Sequence, residues 1–295
     1  MHIYFDHQYN DTAHSFDTLR KATALALDLT ARPIDGVELV SPAAAAYEEL
    51  LDAHDGDYLD AILCGVPSSL AESQGFAWDE GLPKAVFAST GGVRDAARRA
   101  LELREHSGSL SSGLHHARRD IGAGFCTING LAVAALDAVQ RGAQRVLILD
   151  LDAHCGGGTA SIIDGHPGIK HVDVSVSRYD EYRSRPTARL SFASGANYLD
   201  VVERELEAIA DPSTIDLVLY NAGVDPHEWA GGVSGITHDT IEAREAMVFD
   251  WADTNRLPVA WVLAGGYTGG SLDQDGLVAL HRMVAEAAAH RSIGV

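Results

Sequence analysis

Asp150, Asp152 and His154 stand at alternate positions in Leu149-Asp150-Leu151-Asp152-Ala153-His154-Cys155-Gly156-Gly157-Gly158, directly after the apolar run Val146–Leu149. On an extended chain alternate residues share a face, so the three side chains line one side of a strand or cluster at its mouth. Burying two carboxylates is costly unless they are paired or bind a metal. A metal site accounts for them; the other reading is a polar strand end with a capping Asp. A further acid, Asp225, follows the run Leu219-Tyr220-Asn221-Ala222-Gly223-Val224 and precedes Pro226. Asp-Pro commonly opens turns, so Asp225 is either a turn residue or a third ligand. Two carboxylates and one imidazole would leave a coordination position open for water, as in catalytic zinc or iron sites. His115 and His116 form a pair in Gly113-Leu114-His115-His116-Ala117, ahead of Gly122-Ala123-Gly124-Phe125-Cys126. They could serve as acid and base, or simply face solvent in a glycine-bordered loop. Tyr267, in Leu263-Ala264-Gly265-Gly266-Tyr267-Thr268-Gly269-Gly270, could offer its hydroxyl to a bound oxygen or pack over a plain glycine turn.

The elements that must position these groups are legible as short apolar runs closed by Gly, Asp or Ser: 2–5, 145–152, 171–177, 216–223 and 258–266. Such runs fit strands buried on both faces of a parallel sheet. Between them lie helix-like stretches rich in Ala, Leu and charge: Thr18–Leu29, Pro42–His54, Gly92–His106, Asn129–Arg141, Ala196–Ala210, Thr240–Asn255 and Gly276–His290. Strands alternating with helices predict crossover connections and a doubly wound α/β sheet. Ligands in such sheets sit beyond the carboxyl ends of the strands, where the candidate residues fall. With no linker, low-complexity tract or internal repeat, residues 1–295 read as one domain.

A hydrophobic fraction of 46% and mean hydropathy of −0.03 suit a globular chain. The net charge of −20 opposes polyphosphate binding. The one arginine-rich stretch, Arg94–Arg104, is interleaved with Asp95 and Glu102 and reads as a solvated helix face. No direct nucleic-acid partner is therefore expected. Nor is a membrane partner, because no long apolar run and no charged, then apolar, leader are found. Three scattered cysteines, Cys64, Cys126 and Cys155, make no disulfide framework, and a cytoplasmic setting is expected. Nothing in the sequence fixes the oligomeric state.

Taken in order, GLHHARRDIGAGFCTIN, LDLDAHCGGG, YNAGVDPHE and AGGYTGG resemble the signature segments of the histone deacetylase-like amidohydrolases, over roughly residues 85–275. The Ala-Gly-Gly-Tyr ending and the Asn-Ala-Gly before Asp225 are most similar to the class IV and bacterial branch. The resemblance implies the three-layer arginase/deacetylase fold, a central mostly parallel sheet flanked by helices. It implies one catalytic divalent ion, zinc (Zn2+) or else Fe2+, held by Asp152, His154 and Asp225. Arginases share the fold but use two manganese ions around an Asp-x-His-x-Asp pattern, whereas this chain has Asp150-x-Asp152-x-His154.

The same resemblance gives His115 and His116 as the catalytic pair, Asp150 as the carboxylate behind His115, Tyr267 as the oxyanion donor, and Gly124 and Phe125 as the walls of the acyl channel. A structural monovalent cation, K+, would sit on Asp150, Asp152, His154, Ser175 and Val176. The implied reaction is hydrolysis of an N-acyl amide by metal-activated water, on acyl-lysine or an acetylated small amine such as a polyamine. The alternative is a non-catalytic metal-binding relative acting as a binding module. A nucleotide binder is disfavoured because no Gly-x-Gly-x-x-Gly turn follows an early strand. Two departures stand out. Cys155 replaces a second His after the ligand His, and Gly157 replaces the Asp or Asn that backs the second histidine of the pair, which predicts a His116 without that partner.

Overall fold

Residues Val146–Asp150, Leu217–Asn221 and Val259–Val262 are buried at every position, as expected of strands covered on both faces. The computed structural model describes residues 1–12 and 17–291. Residues 13–16 and 292–295 lie outside the described residues. The first half of the chain runs β1 (His2–Tyr4), a 3-10 turn (His7–Asn10), α1 (Asp17–Ala31), β2 (Glu38–Val40), α2 (Tyr47–Leu50), α3 (Gly56–Cys64), α4 (Ser68–Ala71), α5 (Leu82–Leu103), β3 (Ser107–Ser109) and α6 (Gly130–Gln140). Then follow β4 (Val146–Asp150), α7 (Gly157–Ile162), β5 (Ile169–Ser175), β6 (Ala188–Phe192), α8 (Tyr198–Glu207), a second 3-10 turn (Pro212–Thr214), β7 (Leu217–Asn221), α9 (His238–Thr254), β8 (Val259–Val262) and α10 (Gln274–Ala289).

The strands form one eight-stranded sheet in the order β2-β1-β3-β8-β7-β4-β5-β6. Every pairing is parallel, so the mostly parallel sheet that was expected is parallel throughout. Alternate side chains feed two cores. Leu147, Leu149, Val218 and Tyr220 pack with Leu25, Val201, Phe249 and Val284 of α1, α8, α9 and α10. Ile148, Leu219 and Val262 pack with Leu59, Val93, Leu131 and Ile162 of α3, α5, α6 and α7. The result is a three-layer α/β architecture with the sheet in the middle. β4 lies between β5 and β7, so the chain leaves it toward one neighbour and returns on the other. That reversal opens a crevice at the carboxyl ends of the strands.

Several elements differ from the sequence expectation. The helix predicted over Pro42–His54 is confined to Tyr47–Leu50. Its alanines are held extended against α5: Ala43 N donates to Asp95, Ala45 N donates to Phe87 O, and Arg94 donates to Ala43 O. Tertiary hydrogen bonds thus override alanine's helix propensity. The helix expected at Gly92 begins at Leu82, with Pro83 in its first turn, where the missing N–H costs nothing. Three strands were not expected, β2, β3 and β6. One of them, Ser107-Gly108-Ser109, has little strand propensity and owes its conformation to pairing with β1 and β8.

Candidate metal centre and active site

Five loops meet at the carboxyl ends of β3, β8, β7, β4 and β5, and they carry the candidate residues. Where β4 ends, Asp152 and His154 are held by backbone donors: His154 N bonds Asp152 Oδ1 at 2.9 Å, and Gly265 N bonds Oδ2 at 2.8 Å. Asp225, beyond β7, accepts from Ala153 N at 2.9 Å through Oδ1. One donor atom from each of Asp152, His154 and Asp225 lies within 4.8 Å of the others. His154 Nδ1 is 3.2 Å from Asp152 Oδ1 and 3.1 Å from Asp225 Oδ2. That second contact is not aligned as a hydrogen bond, so Asp225 Oδ2 is a buried oxygen without one.

A side chain at Gly265 would fall 2.2 Å from Asp225 Oδ2 and 2.5 Å from Asp152 Oδ2, so glycine keeps the space between the two carboxylates clear. Electrostatics agree with that geometry. Burial, then repulsion from Asp152, raises the Asp225 carboxyl to about 6. Burial opposes charge on His154, but the adjoining carboxylates of Asp152 and Asp225 outweigh it and lift the imidazole to about 11. Two buried acids facing one imidazole, with one oxygen unsatisfied, form a donor set that suits a divalent cation.

His115 and His116 are both buried, with their Nε2 atoms 3.2 Å apart. His115 Nδ1 donates to Asp150 Oδ2 at 2.8 Å, and Asp150 is itself held by Asn221 Nδ2 at 2.8 Å. Burial works against charge on His115, but Asp150 and Asp152 overcome it, raising the ring to about 10. Burial and then the neighbouring His115 pull His116 down to about 4. The expectation that Gly157 leaves His116 without a carboxylate is wrong. Asp180, in the loop after β5, places Oδ2 3.1 Å from His116 Nδ1. Sequence reading missed it because the partner comes from a different loop and not from the segment that carries the metal-ligand pattern.

His115, His116, Gly124, Phe125, Asp152, His154 and Tyr267 line one cleft. Phe125 and Tyr179 are half-exposed at it, and Tyr179 stands edge-on to His116 with ring centroids 4.9 Å apart. Tyr179 was not singled out from sequence; a lone aromatic in a polar loop carries no periodic signal. Seven non-glycine residues among those described have positive φ, and four of them, Leu114, Phe125, Asp180 and Ala264, flank this cleft. Strain of that kind persists where surrounding structure holds it, which suits a site built from five loops. Behind the cleft, Asp150 and Asp173 are register neighbours on β4 and β5, and Ser175 Oγ lies 3.4 Å from Asp173 Oδ1. Val176 N bonds Ala153 O at 3.0 Å, so Ser175 and Val176 run beside the 150–154 segment. Cys155 is buried with Sγ 3.3 Å from Ser177 O, a packing role, and all three cysteines are free. No helix among the described residues is long and apolar enough to cross a membrane.

Comparison with known proteins bears on the same segments. The family model described as "Histone deacetylase domain" matches residues 14–182, more than half of the chain. An uncharacterised protein of Picosynechococcus sp. is 33% identical over 245 residues, covering 80% of this chain and 79% of that protein. The acetoin utilization protein AcuC of Bacillus subtilis is 25% identical, covering 87% of this chain and 70% of AcuC. Histone deacetylase 2 of Arabidopsis thaliana is 26% identical, covering 86% and 70% respectively. The crystal structure of the HDA15 HD domain superposes with a TM-score of 0.79 at 20% identity, over 99% of this chain and 91% of that one, a likeness of fold. Sequence and fold together make the chain a member of the histone deacetylase domain family.

Proposed function

We propose that the protein is a metal-dependent deacetylase or deacylase that hydrolyses an N-acyl amide, with Asp152, His154 and Asp225 as ligands of one divalent ion, Zn2+ before Fe2+. The observation that carries this reading is the convergence of those three donors, with an unsatisfied Asp225 oxygen, on the cleft that also holds the His115–His116 pair and Tyr267. An ion bound there supplies a Lewis acid and lowers the pKa of water. The chain's own groups do the rest. His116, held low, is neutral near pH 7 and accepts a proton at Nε2, as a general base must. His115, backed by Asp150, holds its proton and delivers it from Nε2 to the leaving amine, which departs poorly unless protonated. Tyr267 donates its hydroxyl to the developing oxyanion. Gly124, Phe125 and Tyr179 flank the acyl chain and keep water from the reacting carbonyl.

The amine is acyl-lysine or a small acetylated amine such as a polyamine; a chain of net charge −20 favours a cationic leaving group in either case. The same reading assigns K+ to Asp150, Asp152, His154, Ser175 and Val176. Support comes from the adjoining buried acids, since burial and then Asp150 push the Asp173 carboxyl well above its usual range. One continuous sheet supports treating residues 1–295 as a single catalytic domain. Metal analysis combined with acetate release from acetyl-lysine peptides and acetylpolyamines tests the proposal. Bound metal with no turnover on any acyl amine would favour the binding-module alternative.

A further inference from the structure

Asp180 sits at φ +60 in the loop after β5, with its side chain only 9% exposed. Its two oxygens are fully used. Oδ2 accepts from His116 Nδ1 at 3.1 Å and from Gly158 N at 3.1 Å, while Oδ1 accepts from the Arg118 guanidinium. Arg118 also reaches Gly157 O at 3.2 Å, tying the carboxylate to the start of α7. A Cβ placed on Gly157 would lie 2.5 Å from Asp180 O, 2.6 Å from Oδ1 and 2.7 Å from Cγ. The Asp180 backbone carbonyl and carboxylate together therefore occupy the volume that any side chain at position 157 would need.

From this overlap we infer that Asp180 is the positioning residue of His116, and that the bare Gly157 leaves the room in which the Asp180 loop reaches that ring. The inference rests on the deacylase reading for its kinetic consequence, but its structural content is separate. A carboxylate only accepts hydrogen bonds, so His116 must carry its proton on Nδ1 when neutral. Nε2 is then left with its lone pair, 3.2 Å from His115 Nε2 and lining the cleft, the atom a base needs. Asp180 is the hydrogen-bond partner that fixes this tautomer, and without it the ring is free to protonate on Nε2 instead. Arg118, held by the same carboxylate, keeps Asp180 from turning toward solvent.

Single substitutions at the two positions test this in the zinc-loaded protein. Asp180→Gly suits the positive φ and should lower kcat by roughly 10- to 100-fold, the usual effect of removing such a partner, with KM and metal content nearly unchanged. Gly157→Asp alone should also lose activity, because its side chain meets Asp180. Nitrogen-15 NMR of His116 gives a readout that needs no turnover: the Nδ1–H tautomer in the unaltered protein and in Asp180→Asn, and a mixture in Asp180→Gly. Thermal unfolding identifies any variant that has lost its fold, and Asp180→Asn, which keeps the shape and an accepting oxygen, then replaces Asp180→Gly with a smaller expected loss. A tautomer unchanged in Asp180→Gly, or normal activity in a folded Gly157→Asp, overturns the inference. Absence of turnover in the unaltered protein with the tautomer pattern as expected would instead count against the deacylase reading alone.

Discussion

Asp225 Oδ2 is a buried carboxylate oxygen with no hydrogen-bond donor, 3.1 Å from the same imidazole nitrogen that faces Asp152. Removing its charge should cost the site its cation. Asp225→Asn or His154→Ala is expected to lose most of the bound divalent metal, measured by elemental analysis after dialysis; full occupancy in either variant would refute the ligand assignment. Tyr267 has a different task, donation to the developing oxyanion. Tyr267→Phe should keep its metal and its fold while turnover falls by roughly 10²–10³, the loss typical of one oxyanion donor. Near-normal turnover would mean that the ring only packs. At this scale the sequence was informative where chemistry is local. Asp150, Asp152 and His154 are readable because they share one strand end, and Asp225 and Tyr267 because each closes a strand. Asp180 and Tyr179 were not, since their contacts with His116 depend on how a loop after β5 folds over α7.

Between residues and the whole sheet, the strand ends are clamped by α9. Arg244 is wholly buried and donates to Leu151 O at 3.2 Å, Gly223 O at 2.6 Å and Tyr198 Oη at 3.2 Å, while its other arm pairs with buried Glu245. It therefore ties the β4 loop that carries Asp152 to the β7 loop that carries Asp225. Arg244→Met would leave the Glu245 charge buried, Gly223 O without its donor, and Leu151 O with the Tyr198 hydroxyl alone. The expected cost is about 3–5 kcal/mol of folding stability, together with weaker metal retention because both ligand loops loosen. Urea unfolding against the unaltered protein measures the first and metal analysis the second. A loss below about 1 kcal/mol would show that water replaces the guanidinium without penalty. Elements with an apolar period were legible, as β4, β7, β8, α6 and α10 show. Those fixed by tertiary pairing were not: Ser107–Ser109 becomes a strand because β1 and β8 flank it, and Ala43–Ala46 stays extended because α5 binds its backbone.

For the whole molecule, acidification has two opposed effects. The net charge of −20 shrinks as pH approaches the isoelectric point near 4.9, which relieves self-repulsion. Against this stands buried His54, which joins the catalytic loop to α6. Its Nδ1 donates to Arg118 O at 2.9 Å and its Nε2 accepts from Asn129 N at 3.0 Å, so only the neutral ring satisfies both. Burial lowers its pKa to about 4, from an ordinary 6.5. The folded state thus binds fewer protons than the unfolded chain between these values. The stability it contributes is complete above about 6.5, declines as pH falls toward about 4, and does not fall further below that. Between pH 7 and 5 this one group should remove about 2 kcal/mol, at 1.36 kcal/mol per unit. His54→Gln is less stable at neutral pH but lacks that titration, and every other charge is shared with the unaltered protein. Urea midpoints at the two pH values should therefore converge as pH falls. Parallel pH dependence in the two proteins would mean that His54 accepts a proton in the folded state without breaking the Asn129 contact.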